Sequence, residues 1–266
     1  MTVYYDPDRI EDGAFPALLA IGDSWFWYPF VTNLLAELSA VVRPAYSNML
    51  TLGKVGATLK SYAKGVHAPA LARQLSPNFV RGYSALLISG GGNDAVDWKL
   101  CLQSDCTGKQ TAAECVDAAR LDKKMTELGG WLLALINEAH AARDAVNMPH
   151  MDIFIHCYDY APPDGVPATF GVRIAGPWLK PAMDNAKVDP NNYALRQAIV
   201  KLLIDRLTET FGEFETPKYN VHVIRSAGTL DPDADWANEM HPNGQGFRKL
   251  VHGPWVDVLE PLGYVA

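Results

Sequence analysis

The sequence predicts an α/β fold, a three-layer α/β/α sandwich whose central sheet is mostly parallel and is covered by helices on both faces. Three observations carry this. Apolar runs of strand length alternate with segments of helical spacing along the chain. The runs are apolar throughout rather than at every second residue, as expected of strands buried on both faces. The strongest run, Ser84-Ala85-Leu86-Leu87-Ile88-Ser89, leads directly into Gly90-Gly91-Gly92-Asn93-Asp94, where the glycines point to close backbone approach at a strand end.

The elements follow in order. Phe15-Pro16-Ala17-Leu18-Leu19-Ala20-Ile21 is a first strand. Pro29 then opens a helix carrying Phe30, Leu34, Leu35 and Leu38 on one face. A short second strand is expected at 41–45 and a helix at 57–64, before the strand at 84–89. Residues 101–115 are polar and read as an inserted loop. Leu121, Met125, Leu128, Leu132, Leu135, Ile136 and Ala139 recur at helical spacing and mark a helix over 121–143. A strand at 151–158 comes next, and residues 161–190, rich in Pro, Gly and Asp, form a long excursion near the sheet edge. Leu195, Ile199, Leu202, Leu203 and Leu207 mark a helix over 193–211, 219–224 is the last strand, and 246–259 closes the chain as a helix. No repeat, low-complexity tract or linker interrupts this order. Residues 1–266 are therefore expected to be one domain with inserted loops at about 98–120 and 158–190.

Of the residues 48% are hydrophobic, enough for a large core, and the formal net charge is −7. That balance argues against a nucleic-acid backbone as partner. No apolar run approaches the roughly 20 residues of a membrane span. The start, Met1-Thr2-Val3-Tyr4-Tyr5-Asp6, lacks the basic and apolar stretches of a signal peptide. A soluble, cytoplasmic protein is expected; export by another route, or a mature form given a new methionine, is the alternative. Cys157 lies in an apolar strand as a small hydrophobe. Cys101, Cys106 and Cys115 cluster in the polar segment at spacings unlike a zinc pair, with no histidine among them. A Cys106–Cys115 disulfide is expected to staple this loop, implying an oxidising setting, with three unpaired thiols as the alternative.

Candidate chemistry gathers at the strand ends. Ser24, in Gly22-Asp23-Ser24-Trp25, follows the first strand and precedes a helix; open α/β sheets bind ligands at that edge. The tripeptide alone also reads as a turn with a helix cap. Gly53-Lys54-Val55-Gly56-Ala57-Thr58 follows the second strand and opens a helix. A backbone N–H held at Gly56 there suits an oxyanion, and a glycine turn is the alternative. The stretch is not a phosphate loop, which needs Gly-x4-Gly-Lys-Ser/Thr. Asn93 ends the strongest strand and either directs its NH2 group toward Ser24 or serves only in an Asn-Asp turn. His241 ends the stretch Asp231-Pro232-Asp233-Ala234-Asp235-Trp236-Ala237-Asn238-Glu239-Met240-His241 after the last strand, which returns the chain to the edge where Ser24 lies. The alternating acids do not make a calcium loop, because Trp236 stands where that loop needs Gly and Pro242 where it needs Glu.

These four stretches, in this order, resemble the SGNH (GDSL) hydrolase family from Gly22 to about Phe247. Ser24 fits the family's Gly-Asp-Ser block, and Gly56, with Thr58 two residues later, its glycine block. Asn93 fits the Gly-x-Asn-Asp block and His241 the histidine of the Asp-x-x-His block. The resemblance implies a flavodoxin-like sandwich and a serine esterase or lipase that needs no metal or organic cofactor. It implies Ser24 as nucleophile, His241 as general base, and an oxyanion hole built from the N–H groups of Ser24 and Gly56 with the Asn93 amide. One position departs: Asn238 stands where the family has Asp. Asn238 through its amide oxygen, Asp235 or Glu239 then orients His241; the family also works as a Ser–His dyad with a backbone carbonyl in that role. If the segment before His241 is a helical turn, Asp235 shares a face with Asn238. Trp25, Phe26, Trp27 and Tyr28 follow the nucleophile and either line a substrate pocket or pack the core. Trp178 and the 101–115 loop are expected to wall the site. Carbohydrate O-acetyl esters, short-chain lipid esters and thioesters all fit. A catalytically inactive carbohydrate-binding module and an acyltransferase using the same site are the rival readings.

Overall fold

Strands that are apolar on both faces need cover on both sides, and the computed structural model shows how it is provided. It describes residues 2–11, 13–27, 32–94, 101–170 and 172–265. In chain order the elements are β1 (Thr2–Tyr4), β2 (Leu18–Gly22), α1 (Leu34–Val41), β3 (Asn48–Thr51), α2 (Leu59–Ala63), α3 (Ala68–Gln74), β4 (Ala85–Ser89), α4 (Ala112–Cys115) and α5 (Ala118–Asp144). Then come β5 (Asp152–His156), β6 (Ala168–Phe170), β7 (Val172–Ala175), α6 (Leu179–Asn185), α7 (Tyr193–Gly212) and β8 (Val221–Ile224). The chain ends with β9 (Trp236–Asn238), β10 (His241–Pro242), α8 (Gly244–Leu250) and α9 (Val256–Leu259).

Among the described residues the main sheet runs β1-β3-β2-β4-β5-β8, with every neighbouring pair parallel. Parallel neighbours need crossovers, and the helices between successive strands supply them. α5 packs against α2 and α7, and α1 against α8, which gives the two helical layers. The chain leaves β2 for β3 on one side and then crosses back to β4 on the other. That reversal opens a crevice between the carboxyl ends of β2 and β4, the place where such sheets bind ligands.

Several boundaries differ from expectation for identifiable reasons. The strand expected at 41–45 lies at Asn48–Thr51. Val41 closes α1, and Pro44, with no N–H for a ladder, opens a 3₁₀ turn at Pro44–Tyr46. α1 starts behind an Asn33 cap that accepts the Ala36 N–H, while Pro29 and Phe30 lie outside the described residues. The closing helix breaks between α8 and α9, where Gly253 leaves helical φ/ψ ahead of Pro254. The excursion at 161–190 contains β6, β7 and α6. Among the described residues no helix is long and apolar enough to cross a membrane.

The disulfide expectation is overturned. Cys106 and Cys115 are thiols, with Cys106 Sγ 3.7 Å from the Cys115 carbonyl oxygen. Burial, with Cys106 beside it, pushes the Cys115 thiol up to about 12. The loop turns its cysteines into the core instead of outward. A bridge between Leu102 and Val116 closes it, with the Asp117 N–H donating to the Cys101 carbonyl.

β2 and β4 press together at their ends. Gly22 has φ +151°, and a Cβ there would strike the backbone and side chain of Ser89. Gly22→Ala is expected to lower stability by about 2 kcal/mol or more, read as a lower urea midpoint at unchanged slope. An unchanged midpoint would show that the two strand ends have room between them.

Candidate active site

β2 ends one residue before Asp23. The Asp23 carbonyl accepts the N–H groups of Phe26 and Trp27, and its Oδ1 accepts that of Trp25. These bonds wrap the chain into a tight turn with Ser24 on it. Ser24 is 6% exposed, and its own N–H donates to no group among the described residues.

The β9–β10 hairpin brings His241 to the same edge. His241 Nε2 lies 2.7 Å from Ser24 Oγ, and Nδ1 lies 3.0 Å from Asn238 Oδ1. Asn238 and His241 are register partners across the hairpin, so their pairing is local. Asn238 Oδ1 also accepts the backbone N–H groups of Met240 and His241. Only the oxygen end of an amide accepts such bonds, so the backbone fixes which way the amide faces. The ring tautomer follows: Nδ1 carries the hydrogen and donates it to Asn238, and Nε2 accepts the Ser24 O–H. Burial pushes the imidazole down to about 4, so at neutral pH the ring is uncharged and able to take a proton.

The stretch Gly53–Thr58 opens α2, whose N-cap is Thr58. Gly56 sits at φ +76° in the turn just before that cap, and its N–H donates to no group among the described residues. The turn is tethered from two sides. The Lys54 N–H donates to the Gly22 carbonyl, and Asn93 Nδ2 donates to the Ala57 carbonyl at 3.1 Å. The second hydrogen of the Asn93 amide has no acceptor among the described residues. Asp94 caps α2 by accepting the Leu59 N–H. Ser24, Asn238, His241, Gly56 and Asn93 thus gather at one edge of the sheet.

Asp235 and Trp25 do not join them. The segment before His241 is a hairpin, so Asp235 shares no helical face with Asn238. The Asp235 carboxylate accepts the Asp231 N–H and pairs with Lys249 Nζ at 2.6 Å, which ties its loop to α8. Trp25 is 3% exposed, stacks on His156 at 5.0 Å, and donates its indole N–H to the Met240 carbonyl. It packs the core, as does Phe26; Trp27 is half-buried and Tyr28 lies outside the described residues. Trp178 does reach the site, edge-on to His241 with ring centroids 6.3 Å apart. Glu239 places it there. This fully buried carboxylate accepts the N–H groups of Gly165, Trp178, Leu179 and Lys180.

A buried polar cluster beneath the Ser24 turn is absent from the sequence-based expectations. Asp23 Oδ1 accepts the Ser89 hydroxyl at 2.7 Å, and Ser89 Oγ meets His156 Nε2 at 2.8 Å. Asp23 Oδ2 accepts the Tyr158 hydroxyl at 2.5 Å. His156 Nδ1 accepts the Tyr158 N–H, which puts the ring hydrogen on Nε2, so these donors all run toward Asp23. Burial raises Asp23 to about 6 against these bonds and lowers His156 to about 3. A signal for the cluster exists in Ile153-Phe154-Ile155-His156-Cys157, because a polar side chain inside a buried strand needs a partner.

Solved structures share this architecture. The chain superposes on a protein of Slackia heliotrinireducens provisionally assigned to the SGNH hydrolases, with TM-score 0.50 and 12% identity over 91% of this chain and 97% of that one. The chain has the SGNH-hydrolase fold. An inhibitor-bound aryl esterase of M. smegmatis matches with TM-score 0.49 and 11% identity over 94% and 100% of the two chains. An acetyl esterase variant solved with an acetate ion matches with TM-score 0.47 and 12% identity over 90% and 95%. No protein-family model matches the sequence, and no curated protein does. In this SGNH fold the Ser24 and Asn93 turns flank the crevice between β2 and β4.

Glu239→Ala leaves four half-buried backbone donors without their acceptor, at up to about 1 kcal/mol each. It is expected to open residues 165–180 to protease while the main sheet stays folded. Asp235→Ala, which loses only two bonds, one of them to a lysine that is 40% exposed, is expected to leave that segment protected. Protection of 165–180 in folded Glu239→Ala protein would show that another contact holds Trp178.

Proposed function

We propose that this chain is a carboxylic ester hydrolase working through an acyl-enzyme on Ser24. The observation that carries the proposal is the 2.7 Å approach of His241 Nε2 to Ser24 Oγ, with the other ring nitrogen held by Asn238. His241 takes the Ser24 proton as Oγ attacks the ester carbonyl carbon. The carbonyl electron pair moves onto oxygen, whose charge meets the Ser24 N–H, the Gly56 N–H and the second hydrogen of the Asn93 amide. The adduct collapses, the bond to the alcohol oxygen breaks, and the imidazolium protonates that oxygen. Water, giving its proton to the same nitrogen, attacks the acyl-enzyme, and Ser24 leaves with the proton restored. Asp235 and Glu239 take no part in these steps.

Short acyl esters, including O-acetyl esters of carbohydrates, are the proposed substrates. The small exposed area of Ser24 and the Trp178 ring beside His241 support a site of limited depth. Nitrophenyl esters of rising chain length, given to the purified protein and two variants, test this. Acetate and its near homologues are expected to be turned over, and Ser24→Ala to be silent while folded by circular dichroism. Asn93→Ala is expected to lower kcat by on the order of 10²–10³ with little change in KM. Turnover retained in folded Ser24→Ala protein would overturn the proposal.

Asn238 fixes the ring but stabilises its cation less than a carboxylate in that place would. Asn238→Asp is therefore expected to keep or raise kcat, and Asn238→Ala to lower it, at saturating substrate. An Asn238→Ala protein as active as the parent would leave a Ser24–His241 dyad.

A further inference from the structure

The proposed oxyanion donors come from two strand ends, Ser24 after β2 and Asn93 after β4. Their separation has to be held, because a misplacement of about 1 Å costs on the order of 10²-fold in rate. Tyr158 stands between the two turns. It follows β5 at φ +54°, a left-handed conformation that a bulky residue adopts at a cost. Its N–H donates to His156 Nδ1 and its carbonyl accepts the Ser226 hydroxyl, which holds that backbone in place. Its buried hydroxyl donates to Asp23 Oδ2, and its ring packs over the backbone of Gly92. Asp23 directly precedes Ser24, and Gly92 directly precedes Asn93. A Cβ on Gly92 would come within 2.8 Å of the phenol ring, so both turns rest on one side chain.

We propose that Tyr158 is a positioning residue for the esterase reaction, its hydroxyl bound to Asp23 and its ring packed on Gly92 so that one side chain holds the Ser24 turn against the Asn93 turn and sets the geometry of the oxyanion hole. This rests on the esterase reading given above. Tyr158 touches no substrate and acts through Asp23 and Gly92.

The tie depends on the charge of Asp23. As a carboxylate it accepts from Tyr158, Ser89 and the Trp25 N–H; protonated, it would add a donor to a cluster of donors. The titratable groups around it are Tyr158 and, through Ser89, His156 from the β5 side, Tyr62 from α2, and Asp94 from the turn after β4. Burial holds both tyrosines above their usual range and His156 low, so all three are neutral near pH 6, and it raises Asp94 as well. His241 keeps its proton-accepting form down to about 4. A fall of kcat/KM that begins near pH 6 is assigned to Asp23, which burial holds at about 6, and the Asp23→Asn variant separates it from Asp94, which burial also raises.

Tyr158→Phe keeps the ring against Trp25 and Gly92 and removes one oxygen. It is expected to lower kcat about 10-fold or more with KM within about twofold. The acid limb of kcat/KM is expected to move to higher pH, because Asp23 loses a bond that favours its charge. Asp23→Asn reads the same tie from its other end: a lower kcat and no limb near pH 6. A purely structural role would lower Tm and leave kcat and the limb of the remaining folded protein in place, which would overturn the proposal. If Tyr158→Phe does not fold, an Asp23→Asn protein with parental kcat and limb overturns it equally. Ester turnover by the parent with both variants unchanged rejects Tyr158 and leaves the esterase reading standing; no turnover by the parent rejects the esterase reading, and this one with it.

Discussion

The buried carboxylate of Asp23 is the constraint around which the strand ends are arranged. Its bonds come from its own turn, from Ser89 at the end of β4 and from Tyr158 after β5, so one side chain registers three neighbouring strand ends. Those bonds do not fully offset its burial. A shift from 3.8 to about 6 corresponds to on the order of 3 kcal/mol held against the folded state at neutral pH. The sign follows from linkage: the folded protein binds this proton more tightly than the unfolded chain, so the contribution favours folding at low pH and is lost as pH rises through about 6. This charge opposes folding at neutral pH while its bonds order the turn that carries Ser24.

Other acids at this edge act as anchors for loops. Glu239 collects four backbone N–H groups of the excursion that carries Trp178. Asp159 collects those of Tyr160, Gly228, Thr229 and Leu230, fixing the start of the segment that leads to His241. Asp235 is bound to Lys249. Of the polar residues just before His241, the neutral Asn238 faces the ring. With an amide rather than a carboxylate at position 238, burial dominates and the ring sits at about 4.

How much of this could be read from the sequence depends on how far each signal extends along the chain. The central strands and the helices α5 and α7 are legible because their apolar residues repeat over many positions and the structure buries those same positions. Ser24, Asn93 and His241 were legible as neighbours because each follows a strand of one parallel sheet, and such strands end at the same edge. The β9–β10 hairpin is too short to show a period, which is why Asp235 is misplaced by a helical reading. Trp25 and Trp27 look alike in sequence, and only the partners of Trp25, which lie more than a hundred residues away, separate core from surface. Tyr158 and Glu239 carry no local signal, since what they bond comes from other strand ends and loops.

Whether Ser24 is a nucleophile primed by His241 is read most directly from the mass of the protein after incubation with a fluorophosphonate, followed by peptide mapping. One adduct is expected, on the peptide containing Ser24, and none in folded His241→Ala protein over the same time. A folded parent protein that takes up no adduct, or takes it up on a residue other than Ser24, would contradict the esterase reading.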